Sequence, residues 1–379
     1  MTRDARPRLL AVGPLPPPLG GVQLMNERLI GSSLARDFEI ETVNTSKGRA
    51  RWAVEKQSWR TPVDFVRHAA MLIAAIVRFR PDVVYVHAAS GFSFSRDWAL
   101  MAIARLMGRR VVCHYHGTRH TIFPSTETAF GRFAGRAMMA AAHRVIALSP
   151  GYRDTYAQVW GRSDLAWSPN LVDLAPYAGL PATAPWLAPG ERAVLFMGRL
   201  SAPKGIYDLF DAMAPVLANH PDVRFVLAGV AETEAQEPLL RAEVERRGLA
   251  SRVTFLGSVE GREKALAYAT SSVIAIPSWT EAFPLVIPEA MAGGVPMVVT
   301  AVGAIPDFLV DGEDGLLIPP RDPRALAAAL DRLLSDESMR ARMSARVRQR
   351  AEREFAVEVG AERVRQVLNE LLAGRRQPA

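Results

Sequence analysis

Cysteine is almost absent from this sequence, because Cys113 is the only one among 379 residues. A single thiol excludes an intrachain disulfide framework, and such scarcity is typical of proteins from reducing compartments. Cys113 follows Val111 and Val112, and these apolar neighbours favour a buried structural thiol over a reactive nucleophile. We therefore expect a fold without disulfide bonds and a chemistry that does not use the thiol.

Long hydrophobic runs are also missing. The longest apolar segment, residues 69–77, is less than half of the roughly 20 residues that a membrane-spanning helix needs. Residues 1–8 are charged, and the apolar run after them is short and meets prolines, which is not the pattern of a signal peptide. We therefore expect a cytoplasmic protein that does not cross a membrane.

The positive charge is concentrated in the first half of the chain. Residues 1–190 contain 23 Lys and Arg against 13 Asp and Glu, whereas residues 191–379 contain 23 against 26. A basic surface suits nucleic acid, anionic lipid or an acidic acceptor. No RNA-binding signature, zinc-finger spacing or helix-turn-helix pattern is present, so we expect no nucleic-acid partner. The arginines between Arg96 and Arg144 favour contact with an anionic membrane, and a scattered, solvated arginine surface is the alternative.

Apolar strand patterns alternate with helical patterns in two successive series. The predicted strands are 8–13, 39–44, 82–87, 110–115, 144–148 and 165–168, then 193–198, 224–228, 253–256, 273–277, 297–300 and 315–318. The predicted helices of the first series are 22–35, 62–79, 95–107 and 128–142, and a charged helical tail covers 323–372. This alternation predicts an α/β fold with two doubly wound, Rossmann-like parallel sheets facing across a cleft.

Composition suggests where the two domains meet. A Pro-, Ala- and Gly-rich stretch, residues 175–192, has the composition of a linker. We therefore predict an N-terminal domain at 1–174 and a C-terminal domain at 193–355. The last helix, within 356–379, is expected to pack back on the N-terminal domain.

The segment Ser278–Gly294 places two carboxylates, Glu281 and Glu289, eight positions apart across a predicted loop-to-helix junction. The apolar run 273–277 precedes it, and Gly293 and Gly294 end the helical pattern. A helix N-terminus after a strand and a loop receives phosphate well, because unpaired backbone N–H groups and the helix dipole both face the anion.

Other loops at predicted strand ends have related chemistry. Arg199 and Lys204 follow one strand on a single short loop, and two cations there suit a diphosphate leaving group. Gly20 and Gly21 let bare backbone approach a ligand before a helix begins, although a simple tight turn would look the same. His116 follows another strand beside a glycine, where a structural hydrogen-bonding role is the alternative.

Taken together, these motifs resemble the retaining, nucleotide-sugar-dependent glycosyltransferases of the two-Rossmann (GT-B) type often called family 4. The resemblance covers nearly the whole chain. It rests on the following motifs: Gly20-Gly21, His116-Gly117, Ser168–Asp173, Gly198-Arg199-Leu200 with Lys204-Gly205, and the pair Glu281 and Glu289. It implies transfer of a sugar from a nucleotide-diphosphate sugar, as co-substrate, to an acceptor hydroxyl with the anomeric configuration kept.

The resemblance also implies roles for single residues. Arg199 and Lys204 would hold the donor diphosphate, Glu289 the ribose hydroxyls, and Glu281 the transferred sugar. Gly21, with Gly20 before it, would approach the phosphate, and His116 would lie beside the sugar at the reaction centre. The amides of Phe283, Leu285 and Val286 would meet phosphate or sugar, and Val259 would border the base.

Two positions depart from the family pattern. Pro284 stands where many relatives have glycine, and it removes one N–H from the candidate phosphate site. Asp307 lies where relatives often have a glutamate, and its side chain is one carbon shorter, so we leave it out of the site.

No metal or cofactor is expected from this resemblance. Arg199, Lys204 and the helix N-terminus supply the positive field that other transferases take from a divalent ion. The alternatives are another two-Rossmann enzyme, such as a sugar-nucleotide epimerase or a glycogen-type phosphorylase, and a non-catalytic binding subunit. A phosphorylase needs a pyridoxal-phosphate lysine, and the four lysines do not lie in a matching pattern.

The acceptor is predicted to contact two N-terminal loops, residues 45–59 and 117–128. They contain aromatic and basic side chains, namely Trp52, Trp59, Arg119, His120 and Phe123. Such side chains suit a lipid-linked sugar phosphate at a membrane surface, and they suit a growing polysaccharide as well. By resemblance, a bacterial envelope or exopolysaccharide pathway is the expected setting.

Overall fold

The computed structural model describes residues 6–17, 20–46, 61–89, 92–117 and 129–374. The chain divides into two compact units, Met1–Leu171 with Val357–Ala379, and Val172–Ala356. Each unit contains a six-stranded parallel sheet with flanking helices. The predicted fold class, two Rossmann-like α/β domains of the GT-B type, is confirmed.

The first unit alternates strands and helices around a parallel sheet of order β2-β1-β3-β4-β5-β6. Its elements before residue 171 are β1 (Arg8–Gly13), α1 (Gly21–Ile30), α2 (Leu34–Asp37), β2 (Glu39–Asn44), α3 (Thr61–Phe79), β3 (Val83–Ala88), α4 (Phe92–Leu106), β4 (Arg110–Tyr115), α5 (Ala129–Met139), β5 (Arg144–Ala147), α6 (Pro150–Trp160) and β6 (Leu165–Trp167). Strands β3 and β4 are buried along almost their whole length, as expected for central strands covered on both faces. Cys113 lies in β4 as a buried free thiol.

The helix predicted at 22–35 is two helices. α1 ends at Ile30, and α2 begins only at Leu34. The hydroxyl of Ser32 donates to the carbonyl of Leu29 at 2.6 Å and accepts from the N–H of Leu34 at 3.3 Å. A buried serine thus takes over backbone hydrogen bonds that a continuous helix would have made for itself.

Helix α6 was not predicted, although the sequence contains its end signals. The Ser149 hydroxyl accepts from the N–H of Tyr152 at 3.0 Å, and Pro150 occupies the first turn. Gly161 ends the helix in the left-handed conformation. A serine cap, a proline at the first position and a terminal glycine are standard helix boundaries, and these signals were not used in the sequence analysis.

The second unit repeats the alternation with sheet order β12-β11-β10-β7-β8-β9. Its elements are β7 (Arg192–Met197), α7 (Ile206–Asn219), β8 (Val223–Ala228), α8 (Gln236–Arg246), β9 (Val253–Gly257), α9 (Gly261–Ala269), β10 (Ser271–Ile276), α10 (Val286–Gly293), β11 (Met297–Thr300), α11 (Ile305–Phe308), β12 (Gly315–Ile318), α12 (Pro323–Ser335) and α13 (Glu337–Arg350). Its apolar core includes Phe210, Phe225 and Leu330 from α7, β8 and α12. Residues 175–192 belong to this unit, where Arg262 donates to the carbonyl of Ala178 at 3.0 Å.

The charged tail predicted as helical at 323–372 is interrupted twice. Asp336 separates α12 from α13 and accepts from the N–H of Met339 at 2.8 Å. A π-helical turn, Ala351–Phe355, then precedes α14 (Val357–Ala373). Helix α14 packs in the core of the first unit with Leu9 and Leu29. Among the helices of the described ranges, none has both the length and the apolar character that a bilayer crossing requires.

Candidate functional site

Two neighbouring strand ends of the second unit bring most of the predicted donor residues together. Strands β7 and β10 are adjacent and parallel, so the loops that follow them leave the same edge of the sheet. The N–H of Trp279, after β10, donates to the carbonyl of Pro203, after β7, at 2.9 Å. The Arg199–Lys204 loop and the Glu281 loop are therefore joined by their backbones.

Glycines allow this close approach. A Cβ atom at Gly205, where φ is +74°, would lie 2.0 Å from the carbonyl oxygen of Pro277. Gly303, after β11, has a φ of +63°, and a Cβ there would lie 2.1 Å from the carbonyl oxygen of Glu281. Both positions need a left-handed backbone without a side chain, so both are restricted to glycine.

The side chains of Lys204 and Glu281 form an ion pair in this loop cluster. The Lys204 Nζ lies 2.5 Å from Oε1 of Glu281, and the Ser278 hydroxyl donates to the same oxygen at 2.8 Å. The Glu281 side chain is largely buried, whereas Lys204 is partly exposed. The pair supplies a cation suited to phosphate beside a carboxylate suited to sugar hydroxyls.

Glu289, in the first turn of α10, is only 2% exposed. Its Oε2 accepts from the Tyr268 hydroxyl at 3.0 Å and lies 2.6 Å from the Nζ of Lys264. Both partners come from α9, four residues apart and therefore on one helix face. A buried carboxylate needs such partners, because an unpaired buried charge is costly. Sequence reasoning missed Lys264, Tyr268 and Ser278, and the spacing of the first two was the available signal.

The remaining donor residues lie around the start of α10 and on neighbouring loops. Leu285 precedes this eight-residue helix without a side-chain cap, and Val286 is its first residue. The first N–H groups of a helix have no partner inside the helix. The ring of Phe283 is buried against Phe308 and Phe355, with centroids 4.5 and 5.9 Å away. Arg199 is exposed and Val259 is buried.

Three histidines converge in the first unit. His87 in β3 is paired in register with His114 in β4, and His116 follows two residues later. The Nδ1 of His87 lies 2.9 Å from the Nε2 of His116, and the rings of His114 and His116 are 4.3 Å apart. Burial lowers the pKa of His114 to about 4. Burial and the neighbouring rings hold the pKa values of His87 and His116 well below the usual range, so all three are neutral.

Gly20, Gly21 and His116 are the predicted site residues of the first unit, and all the others belong to the second. Gly21 begins α1, and Gly20 precedes it with an extended backbone. The acceptor residues Trp52, Trp59, Arg119, His120 and Phe123 lie outside the described residues. Asp307, which sequence reasoning left out, is exposed in α11.

Two family models match successive parts of the chain. The model described as "Glycosyl transferases group 1" matches residues 185–350. The model described as "Glycosyltransferase Family 4" matches residues 29–176. Their ranges correspond to the second sheet and to most of the first.

Curated relatives include a phosphatidyl-myo-inositol mannosyltransferase of Mycolicibacterium smegmatis, 37% identical over 50% of this chain and 48% of the relative. A D-inositol 3-phosphate glycosyltransferase of Corynebacterium diphtheriae is 37% identical over 40% of this chain and 36% of the relative. A glycogen synthase of Mycobacterium tuberculosis is 28% identical over 79% of this chain and 71% of the relative. The chain thus spans about half or less of the first two relatives.

Solved structures share the fold over nearly the whole chain. Anabaena HepE in complex with UDP has a TM-score of 0.71 at 20% identity, covering 96% of this chain and 100% of that one. A glycosyltransferase from Rickettsia africae has a TM-score of 0.77 at 14% identity, covering 97% and 99%. The chain thus contains one segment that matches the group 1 glycosyltransferase model and one that matches the family 4 model, and it shares the two-domain GT-B fold of these solved structures.

Proposed function

We propose that this protein is a retaining, metal-independent glycosyltransferase that moves a sugar from a nucleotide-diphosphate sugar to a lipid-linked or polysaccharide acceptor. The observation that carries the proposal is the pairing of each carboxylate in the Ser278–Gly294 segment with a lysine. Glu281 is paired with Lys204, and Glu289 with Lys264. Two such pairs beside a helix N-terminus offer separate groups for sugar, phosphate and ribose.

The donor diphosphate gains negative charge as the glycosidic bond breaks. Lys204, Arg199 and the start of α10, at Leu285 and Val286, supply positive charge for it. When a phosphate takes over Lys204, the Glu281 carboxylate keeps its hydrogen bond from Ser278 and becomes available to sugar hydroxyls. No nucleophilic side chain is required, because the departing phosphate would take the proton from the acceptor hydroxyl on the same face of the sugar.

The relatives are consistent with a nucleotide-sugar donor. Anabaena HepE has been solved with UDP-glucose, and the mycobacterial relative is described as a phosphatidyl-myo-inositol mannosyltransferase. Our proposal takes from them the donor class and a lipid or glycan acceptor. The bacterial envelope or exopolysaccharide pathway that we propose as the setting comes from the family resemblance alone. We place the protein in the cytoplasm, at the inner face of the cell membrane.

Donor binding is tested by thermal unfolding with UDP, GDP, ADP and dTDP in turn, with and without EDTA. A nucleotide at a hundred times its dissociation constant should stabilise the protein by about 2.7 kcal/mol. Glu289→Gln should abolish this effect, whereas the exposed Glu263→Gln on neighbouring α9 should retain it. Stabilisation that requires a metal ion, or that survives equally in both variants, would contradict the proposed site.

Transfer itself is tested by release of nucleotide from the matching sugar donor and by NMR of the product anomer. An α-linked donor should give an α-linked product. Nucleotide binding without any transfer, over a panel of lipid-linked and glycan acceptors, would favour the non-catalytic binding subunit. An altered donor sugar without transfer would indicate an epimerase.

Helix α3 supports the membrane part of the proposal. One face of the helix is buried, through His68, Leu72, Ile76 and Phe79. The opposite face exposes apolar side chains at helical spacing, namely Val63, Val66, Ile73 and Val77. Arg67 and Arg78 are exposed on the same helix. An exposed apolar stripe bordered by arginines suits the interface of an anionic bilayer.

Vesicle co-sedimentation tests this surface. Vesicles containing phosphatidylglycerol should bind the protein, vesicles of phosphatidylcholine alone should bind less, and salt should weaken the binding. Val66→Glu should reduce the bound fraction. Leu239→Glu in α8 is the matched control, because both side chains are 65% exposed. Equal binding by the two variants would contradict a role for α3.

A further inference from the structure

The family resemblance implies a place for His116 beside the transferred sugar and gives no role to two neighbouring histidines, His87 and His114. His114 lies in β4, His116 follows just after the end of this strand, and their ring centroids are 4.3 Å apart, so both rings lie on the same side of the backbone. His87 lies beside His114 in register on the adjacent parallel strand. Each of the three offers a ring nitrogen, and the three nitrogens lie within 4.8 Å of one another.

Two of these rings have buried nitrogens without a hydrogen-bond partner. In the part of the chain that the structure describes, this holds for the Nε2 atoms of His87 and His114. Both residues are 1% exposed. A buried polar atom without a partner costs free energy, so native proteins pair nearly all of them with protein, water or an ion. Here the two unpaired atoms belong to one cluster.

A neighbouring hydroxyl can orient one of these rings. The Tyr85 hydroxyl lies 2.8 Å from Nδ1 of His114. With the proton on Nδ1, His114 donates to the tyrosine oxygen, and the lone pair of Nε2 is available to a metal ion. Ligating histidines are typically oriented by such a second hydrogen bond.

We propose that His87, His114 and His116 form a binding site for one divalent transition metal ion of the zinc class. Three imidazoles without a carboxylate favour zinc, cobalt, nickel or copper over magnesium and calcium. Tetrahedral zinc keeps its nitrogen ligands about 3.3 Å apart, so the rings need to close inward by about 1.5 Å at most. The fourth position is open to water or to another ligand.

Metal binding has a consequence that rests on the proposed function. His116 is the residue placed beside the transferred sugar, and a metal ion on its ring would withdraw it from that position. Zinc should therefore inhibit transfer in a way that EDTA reverses. The metal site is thus a candidate inhibitory site, whereas the proposed donor site of the second unit needs no metal ion.

The first test measures metal binding by the full chain, stripped with EDTA and desalted. One equivalent of Co²⁺ should produce the intense visible absorption of a four-coordinate site, and Zn²⁺ should displace it. Replacement of His114 by Asn should weaken binding at least 100-fold. His143→Asn is the matched control, because His143 is a partly buried histidine of the same unit outside the cluster. Absence of the cobalt spectrum, or equal binding by the two variants, would overturn the proposal.

A second variant keeps the test decisive if His114→Asn fails to fold. Tyr85→Phe removes only the hydroxyl beside His114. It should weaken Co²⁺ binding 10- to 100-fold, which is the usual effect of removing the hydrogen-bond partner of a metal ligand. Unchanged affinity in a folded Tyr85→Phe protein would refute the proposed orientation of His114 and with it the site.

The two proposals fail in distinguishable ways. Nucleotide-dependent stabilisation reports on the second unit and should be unchanged in His114→Asn. A cobalt spectrum without any sugar transfer would overturn the proposed function and support the metal site. If the metal-loaded protein still transfers sugar at the rate of the metal-free protein, the proposed inhibitory role of the metal site is overturned.

Discussion

The free energy of unfolding should fall as the pH is lowered from 8 to 5, because the histidine cluster is buried without charge. Burial lowers the pKa of His114 to about 4 in the folded protein, whereas a histidine in an unfolded chain has a pKa of about 6.5. Between these values the unfolded state binds more protons than the folded state. The contribution of His114 to the free energy of unfolding is therefore fully present above pH 6.5 and is lost as the pH falls towards 4.

The magnitude follows from the two pKa values of His114. At pH 5 the histidine is almost fully protonated in the unfolded chain and mostly neutral in the folded protein. This difference lowers the free energy of unfolding by about 2 kcal/mol relative to pH 8. The full loss, below the folded pKa, is about 3 kcal/mol. The pKa values of His87 and His116 are lowered in the same direction, so their contributions have the same sign.

Urea unfolding in EDTA at several pH values between 5 and 8 measures this effect in the parent and in His114→Asn. The parent should lose at least about 2 kcal/mol more than the variant between pH 8 and pH 5, because the variant lacks both His114 and the effect by which His114 lowers the pKa values of His87 and His116. Parallel pH profiles for the two proteins would refute the neutral, buried state of His114.

Three further predictions concern the second unit. Lys204→Ala should lower kcat about 10²- to 10³-fold in a nucleotide-release assay, with Lys204→Arg retaining more activity, because the diphosphate loses a charge-stabilising partner; equal rates for Lys204→Ala and the parent would contradict this. Gly312→Ala should cost only the left-handed backbone strain of about 1–2 kcal/mol, since nothing lies within 4 Å of the added Cβ. Gly303→Ala should cost more and abolish nucleotide stabilisation, because its Cβ would lie 2.1 Å from a backbone oxygen; similar melting temperatures would argue against this. Tyr268→Phe removes the hydrogen bond to Glu289 and should cost about 1 kcal/mol in urea unfolding and weaken nucleotide binding, an expectation that unchanged nucleotide affinity would contradict.

Strand prediction worked because the signal is local. Buried parallel strands such as β3 and β4 are short, nearly continuous apolar runs, and periodicity detects them directly. Helix boundaries were less predictable. The Ser32 hydroxyl bonds backbone groups between α1 and α2, and the end signals of α6, at Ser149 and Gly161, were not recognised. These errors arose where a few polar or special residues, rather than apolar periodicity, decide the backbone.

The sequence by itself determined the two-sheet α/β fold and the motif residues Lys204, Glu281 and Glu289, because strand patterns and loop motifs are contiguous along the chain. Only the tertiary structure decided what surrounds those residues. Lys264 contacts Glu289 from another helix, and Lys204 meets Glu281 across 77 positions of the chain. The three histidines likewise share a cluster only because β3 and β4 pair in one particular register. Strand register and tertiary packing bring together residues that are distant in the chain, and neither can be predicted from the local apolar periodicity of the sequence.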